Sequence, residues 1–134
     1  MTLPFDQEKR EFIRVRLEIP VRYKFICQHI NNLMIEKTYQ GSCNNISASG
    51  LLLTGQVPDF NWVPDMLLQK IVLGLYFLLP GELDMVKVIA RAAWVGTLDE
   101  KTHDCQMGLK FKELTSEDKD QILRFIIKSQ LPSQ

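Results

Sequence analysis

The sequence predicts an all-β fold with one C-terminal helix: an antiparallel barrel or rolled sheet of five to seven strands, capped by the helix. Three observations predict it. Hydrophobicity alternates with period two along most of the chain. The period becomes helical only after Thr115. A chain of 134 residues, 46% of them hydrophobic, has enough apolar surface for one domain whose core needs neither metal nor disulfide.

The elements follow in order. Val15, Leu17, Ile19, Val21, Tyr23 and Phe25 alternate with Arg16, Glu18, Pro20, Arg22 and Lys24, a long strand with one apolar and one charged face. Pro20 belongs to the outward set, which predicts an edge or a bulge. Residues 28–36 are polar and carry the turn pair Asn31-Asn32. Residues 38–43 read as a weak strand, interrupted by Asn44, Asn45, Ser47, Ser49 and Gly50 and resumed by Leu51, Leu52 and Leu53. Residues 56–65 hold Pro58, Asp59, Asn61 and Pro64 and read as a loop. Its Phe60 and Trp62 either contact a partner or cap the barrel end.

Residues 68–79 read as a strand apolar on both faces, and Pro80-Gly81 as the turn that ends it. Residues 85–95 form the next strand, ending near Trp94, and Asp99, Glu100 and Lys101 a charged hairpin loop. Cys105, Met107, Leu109 and Phe111 alternate with Gln106, Gly108, Lys110 and Lys112 in the last strand. Thr115 is a good N-cap, and Asp118, three residues on, is placed to complete a capping box. Ile122, Phe125 and Ile126 give the helix its apolar stripe, and Pro132 closes it. The expected organisation is an N-terminal arm over 1–14, a barrel over 15–112 and a helical end over 113–134.

Composition narrows the function. Sixteen basic residues balance sixteen acidic ones, so the net charge is zero. That argues against a DNA or RNA binder, which is usually basic. No apolar run reaches the ~18 residues of a membrane span. The first ten residues lack the apolar segment and cleavage site of a signal peptide. Three widely spaced cysteines do not make a disulfide framework. A cytoplasmic location is therefore expected.

Catalytic and phosphate-loop motifs are absent: no G-x-G-x-x-G, no Walker A loop, no G-x-S-x-G, no H-E-x-x-H. No catalysis is expected. Cys27 with His29, and His103 with Cys105, each put a thiol and an imidazole two apart on one strand face. The spacing is not that of a zinc site, and two core cysteines beside loop histidines is the simpler reading. No metal is assigned.

Two clusters carry chemistry. In the arm, Arg10 and Arg14 lie four apart, preceded by Lys9. In an extended segment both guanidinium groups fall on one side, about 13 Å apart. They suit phosphate oxygens and the O6/N7 edge of guanine. By default such a run is a solvated face paired with Glu8 and Glu11. In the second cluster, Asn45 and Ser47 share one side of an extended chain, and Gly50 permits a turn with positive φ. Its default reading is an Asx/Ser turn between strands.

Taken together and in order, R-x-x-x-R and [D/N]-x-S-x-x-G resemble the paired signature of the PilZ domain. The likeness runs on through Gly108-Leu109-Lys110-Phe111 and the capped helix after Thr115, so it covers nearly the whole chain. Asn45 stands where PilZ domains often have Asp; it keeps an acceptor and adds donors. The resemblance implies an antiparallel PilZ-type split barrel and a receptor for cyclic di-GMP, a bacterial second messenger, with no cofactor and no catalysis. It implies that Arg10 and Arg14 bridge phosphate and guanine edges, that Asn45 and Ser47 hold the ligand on the barrel face, and that Gly50 keeps the turn close to it.

Trp94, beside small alanines, is either a guanine-stacking platform or barrel core. Lys9, with Arg16 and Arg91, adds cations that favour a mutually intercalated ligand pair over a single molecule. Ligand is expected to order the arm on the barrel and so change the surface offered to an effector protein, in motility, pilus or biofilm control. The alternative is a PilZ-like protein-interaction module without nucleotide, in which the arginine and Asn/Ser motifs need not stand together as they do here.

Overall fold

The computed structural model describes residues 15–27 and 37–130. Six strands close into a barrel in the order β1-β2-β3-β6-β5-β4, every neighbouring pair antiparallel. They are β1 (Val15–Cys27), β2 (Tyr39–Ile46), β3 (Gly50–Gln56), β4 (Ile71–Phe77), β5 (Val86–Leu98) and β6 (Asp104–Glu113). A short helix, α1 (Trp62–Leu67), precedes β4, and α2 (Ser116–Gln130) follows β6.

β1 closes the barrel because it is long enough to serve two neighbours. Its first part pairs with β2 as far as Tyr23↔Tyr39, and from Arg22 onward it pairs with β4. Pro20 sits opposite Ser42, in the part that has β2 as a neighbour but not yet β4, so its missing N–H costs no ladder bond on the β4 side. The expected alternation holds from Glu18: Ile19, Val21, Tyr23, Phe25 and Cys27 are buried, and Glu18, Pro20 and Arg22 are exposed. Val21, Tyr23, Cys43, Leu53, Leu73 and Met107 meet inside the barrel without solvent exposure.

Four element boundaries differ from expectation. β2 does not stop before Asn44 but runs through Asn44 and Asn45 to Ile46, absorbing the extra residue in a bulge. Residues 56–65 are not all loop. Asp59 Oδ1 accepts the Asn61 N–H at 2.9 Å and α1 starts at Trp62, with Pro64 in the first turn, where its missing N–H has no intrahelical role. Trp62 is not a free partner surface: its ring meets Phe25 edge-on at 5.1 Å and caps the core. β4 begins at Ile71 rather than residue 68, because Gln69 takes a left-handed φ of 64° that ends α1. β5 continues past Trp94 to Leu98. The expected turn over 28–36 lies outside the described residues.

α2 buries Ile122, Phe125 and Ile126, the expected stripe. Thr115 caps it as expected, its Oγ1 accepting the Asp118 N–H at 3.1 Å. The Asp118 carboxylate does not complete a capping box. It accepts the Lys87 amide at 3.3 Å and Gln121 Nε2 at 3.4 Å, tying the first turn of the helix to β5. Further along, Arg124 Nη2 donates to Glu82 at 2.8 Å and fastens α2 to the β4–β5 turn, where Gly81 supplies the positive φ of 84°. No described helix is long and apolar enough to cross a membrane.

Cys27, Cys43 and Cys105 are free and buried. Among the described residues no three His, Cys, Asp or Glu side chains gather as a metal would require, and His29 lies outside those residues. His103 instead places Nδ1 3.0 Å from the Pro58 carbonyl.

Burial pushes the Cys43 thiol up to about 12 and the Cys105 thiol up to about 11, and lifts the Tyr23 phenol well above its usual range. All three stay protonated in the fold at pH values where the unfolded chain has begun to lose those protons. Stability is therefore fully present below about pH 8.5, the ordinary thiol value, and is lost as pH rises from there towards the folded values. Cys43 alone contributes a slope of about 1.4 kcal/mol per pH unit in that window. Thermal melts taken from about pH 8 to about pH 11 should fall steadily, and Cys43→Ala should flatten the fall. A melting temperature constant over that range contradicts the assignment.

Candidate functional site

Two bulges build a patch on the outside of the barrel. In β2, Asn44 is the extra residue between Cys43↔Leu53 and Asn45↔Leu52. Strict alternation from the buried Cys43 would turn Asn45 into the core. The bulge makes Ile46 the next inward residue instead, and Asn45 faces out. In β5, Ala93 is the extra residue between Ala92↔Leu109 and Trp94↔Gly108. Alternation from the buried Ala90 and Ala92 would bury Trp94, and the bulge sends it outward, 47% exposed. Trp94 is thus not barrel core.

The registers then align one row across four strands. Asn45 is opposite Leu52, Leu52 opposite Gly108, and Gly108 opposite Trp94. The indole lies over two glycines. A Cβ on Gly108 would overlap its pyrrole edge, and one on Gly96 would stand 3.3 Å from Cζ3. One ring face is held by the sheet and the rest is open to solvent.

The β2–β3 turn forms the side wall. Ser47 is 6% exposed. Its backbone N–H and its Oγ both donate to the Gly50 carbonyl, at 2.8 and 3.3 Å, and its Oγ accepts the Ser49 N–H at 3.3 Å. Most of the hydroxyl's capacity goes into shaping the turn, which leaves Asn45 and Ser49 as the more open polar groups. The Ser49 carbonyl accepts the Phe111 N–H at 2.8 Å and pins the turn to β6. Gly50 does not have the positive φ expected of it; among the described residues that conformation falls on Gln69, His103 and Gly81. Its glycine is required by close approach, because a Cβ there would collide with the Leu109 carbonyl oxygen of β6.

Together these groups line a cavity of about 260 Å³, with Asn45, Ser47 and Gly50 on one side and Trp94, Gly108 and Lys110 on the other. That lies below the roughly 300–1,000 Å³ of pockets that enclose a whole small ligand. Its size suits part of a ligand, such as a flat base laid on the indole, and not a whole one. Lys9, Arg10 and Arg14 lie outside the described residues. β1 starts beside this turn, with Val15 opposite Ile46. Ser49, Gly108 and Lys110 were not singled out as site residues from the sequence. The lone glycine at 108, in an otherwise well-patterned strand, is the signal that points to a close approach.

A scan against protein families matches the PilZ domain over residues 8–128. The chain belongs to the PilZ family. PilZ domains are regulatory cyclic di-GMP binders. Solved PilZ structures share the barrel. MotI/DgrA, the Bacillus subtilis inhibitor of motility, aligns at TM-score 0.64 and 20% identity, covering 91% of this chain and 51% of its own. The PilZ domain of YcgR from Escherichia coli, solved with c-di-GMP, aligns at TM-score 0.57 and 10% identity, covering 91% and 92%. The K. pneumonia MrkH–c-di-GMP complex aligns at TM-score 0.59 and 19% identity, covering 90% and 51%. The chain thus spans about half the length of MotI and of MrkH. No curated protein matches it significantly in sequence.

Because Trp94 is half exposed, Trp94→Ala should leave the melting temperature nearly unchanged while removing the stacking face. That face is worth about 1–3 kcal/mol per base. Gly108→Ala should act alike by lifting the indole off the sheet. Fluorescence titration in a Trp62→Phe background isolates Trp94; an indole signal indifferent to guanine nucleotides rules out the platform.

Proposed function

We propose that the protein is a cyclic di-GMP receptor and adaptor, most plainly supported by the cavity in which Asn45, Ser47 and Gly50 face Trp94 across Gly108. In this reading a guanine stacks on Trp94, and Asn45 bonds a guanine edge or a phosphate. Ser47 and Gly50 hold the turn close enough to touch the ligand. Arg10 and Arg14, in the arm over 1–14, clamp the ligand from the other side through charge-assisted, bidentate contacts. The barrel over 15–112 and the helical end over 113–134 are the scaffold. Holding the arm against the barrel changes the surface offered to an effector protein and carries the signal onward. In this reading the process controlled is motility, pilus or biofilm formation and the receptor acts in the cytoplasm; membership of the PilZ family supports the regulatory, c-di-GMP-binding part of it.

Calorimetric titration tests the proposal. Cyclic di-GMP should bind in the submicromolar to micromolar range. Cyclic di-AMP should bind much more weakly, because adenine presents a donor where guanine O6 presents an acceptor. Folded protein that gives no heat with tens of micromolar ligand ends the receptor reading. The saturation ratio tests the number of ligands. An intercalated pair brings four phosphate charges, and Lys9 beside Arg10 supplies extra neutralisation, so we expect two ligands per chain and fewer for Lys9→Leu. A wild-type ratio of one rejects the pair, and an unchanged ratio of two in the variant rejects Lys9 as its cause.

A further inference from the structure

Next to the row of Asn45, Leu52, Gly108 and Trp94 runs a second one. Gly50 is opposite Lys110, and Lys110 is opposite Arg91. The flanking residues Ala90, Ala92 and Leu109 are buried, so Lys110 and Arg91 lie on the outer face, Lys110 exposed and Arg91 half-buried. Directly opposed residues of an antiparallel pair have Cβ atoms about 4.5–5.5 Å apart, and like charges in that position repel. Among the described residues no carboxylate pairs with either: the ion pairs within 4.0 Å are those of Glu82 with Arg124 and Lys128. On the β3 side, Gly50 has no side chain to shield them. Among the described residues the sheet thus carries two adjacent cations with no carboxylate within 4.0 Å, and the lysine lines the cavity. Residues two apart on a strand are roughly 7 Å apart, so Lys110 stands about that far from Gly108, the residue over which the indole lies.

We propose that Lys110 and Arg91 form a phosphate subsite on the β5–β6 side of the cavity, additional to the arginine motif. The inference rests on the receptor reading above. A cyclic dinucleotide with its base on Trp94 presents a phosphate to this pair, and the anion removes the repulsion that the ligand-free sheet bears. The affinity then depends on more than the two sequence motifs.

The test compares Lys110→Gln, Arg91→Gln and the double variant with wild type by calorimetric titration with cyclic di-GMP at low and high salt. Each single variant should bind about tenfold more weakly, and the double variant more weakly still. The gap between wild type and double variant should narrow at high salt, where exposed charges are screened. The ligand-free double variant should melt no lower than wild type, because a repulsion has been removed. Wild-type binding with an unchanged affinity and salt dependence in the double variant overturns the subsite and leaves the receptor reading standing. A folded wild type that takes up no cyclic di-GMP overturns both.

Discussion

Arg14→Ala is expected to weaken cyclic di-GMP binding about 10- to 100-fold while the protein melts as wild type does. The magnitude is that of a charge-assisted hydrogen bond set, roughly 1.5–3 kcal/mol, removed from a ligand that carries two phosphates. The selectivity for binding over stability follows from position. Arg14 is a charged residue that precedes β1, and among the described residues the core cluster begins at Ile19, so the truncation is expected to leave the core packing intact. Arg10→Ala should behave in the same way. A variant that melts several degrees lower and binds normally would make these arginines structural. Calorimetry paired with a thermal melt separates the outcomes.

Gly50→Ala should have the opposite signature, a large loss of stability. The added methyl meets the Leu109 carbonyl oxygen, a backbone atom of the neighbouring strand that cannot swing aside as a side chain would. Accommodating it forces β3 and β6 apart where the Ser47–Gly50 turn is bonded, and β3 and β6 are adjacent staves of the closed barrel. Overpacking of this kind costs about 1–3 kcal/mol, which in a chain of this size is a fall of several degrees in melting temperature. Binding should fall with it, because the turn walls the cavity. Gly81→Ala is the contrast: nothing stands within 4 Å of its added Cβ, and its cost is that of a positive φ alone. A Gly50→Ala protein as stable as wild type would show that the close approach is not what requires glycine there.

Much of the barrel was legible in the sequence because a half-buried strand must alternate. β1 from Glu18, the Cys105–Leu109 part of β6 and the apolar stripe of α2 all follow from that constraint. The site was legible in part. Asn45, Ser47 and Gly50 stand out as residue types, but alternation alone assigns Asn45 and Trp94 the wrong face. Asn44 and Ala93, the residues that reverse them, carry no sequence mark of a bulge. The bulges are products of how neighbouring strands align around a closed barrel, which is a property of the pairing and not of either strand. The same limit explains Lys110. It looks like any outward lysine on an alternating strand until the register sets it beside Gly50 and Arg91. The role of Gly50 was misassigned for a related reason: a glycine required by a distant strand's carbonyl looks the same in sequence as one required by a left-handed turn.

In the receptor reading cyclic di-GMP sits on the row from Asn45 to Trp94. That placement is tested most directly by following backbone amide resonances as the ligand is added. The largest shifts are expected at Asn45, Ser47, Ser49 and Gly50 on one wall and at Ala93, Trp94, Gly108 and Lys110 on the other. Residues of the separate groove lined by β4, the start of β5 and the β6–α2 link, among them Gly74, Tyr76, Lys87 and Leu114, should be unmoved. Shifts concentrated in that groove, or ligand bound with the Asn45–Trp94 row unperturbed, would contradict the placement.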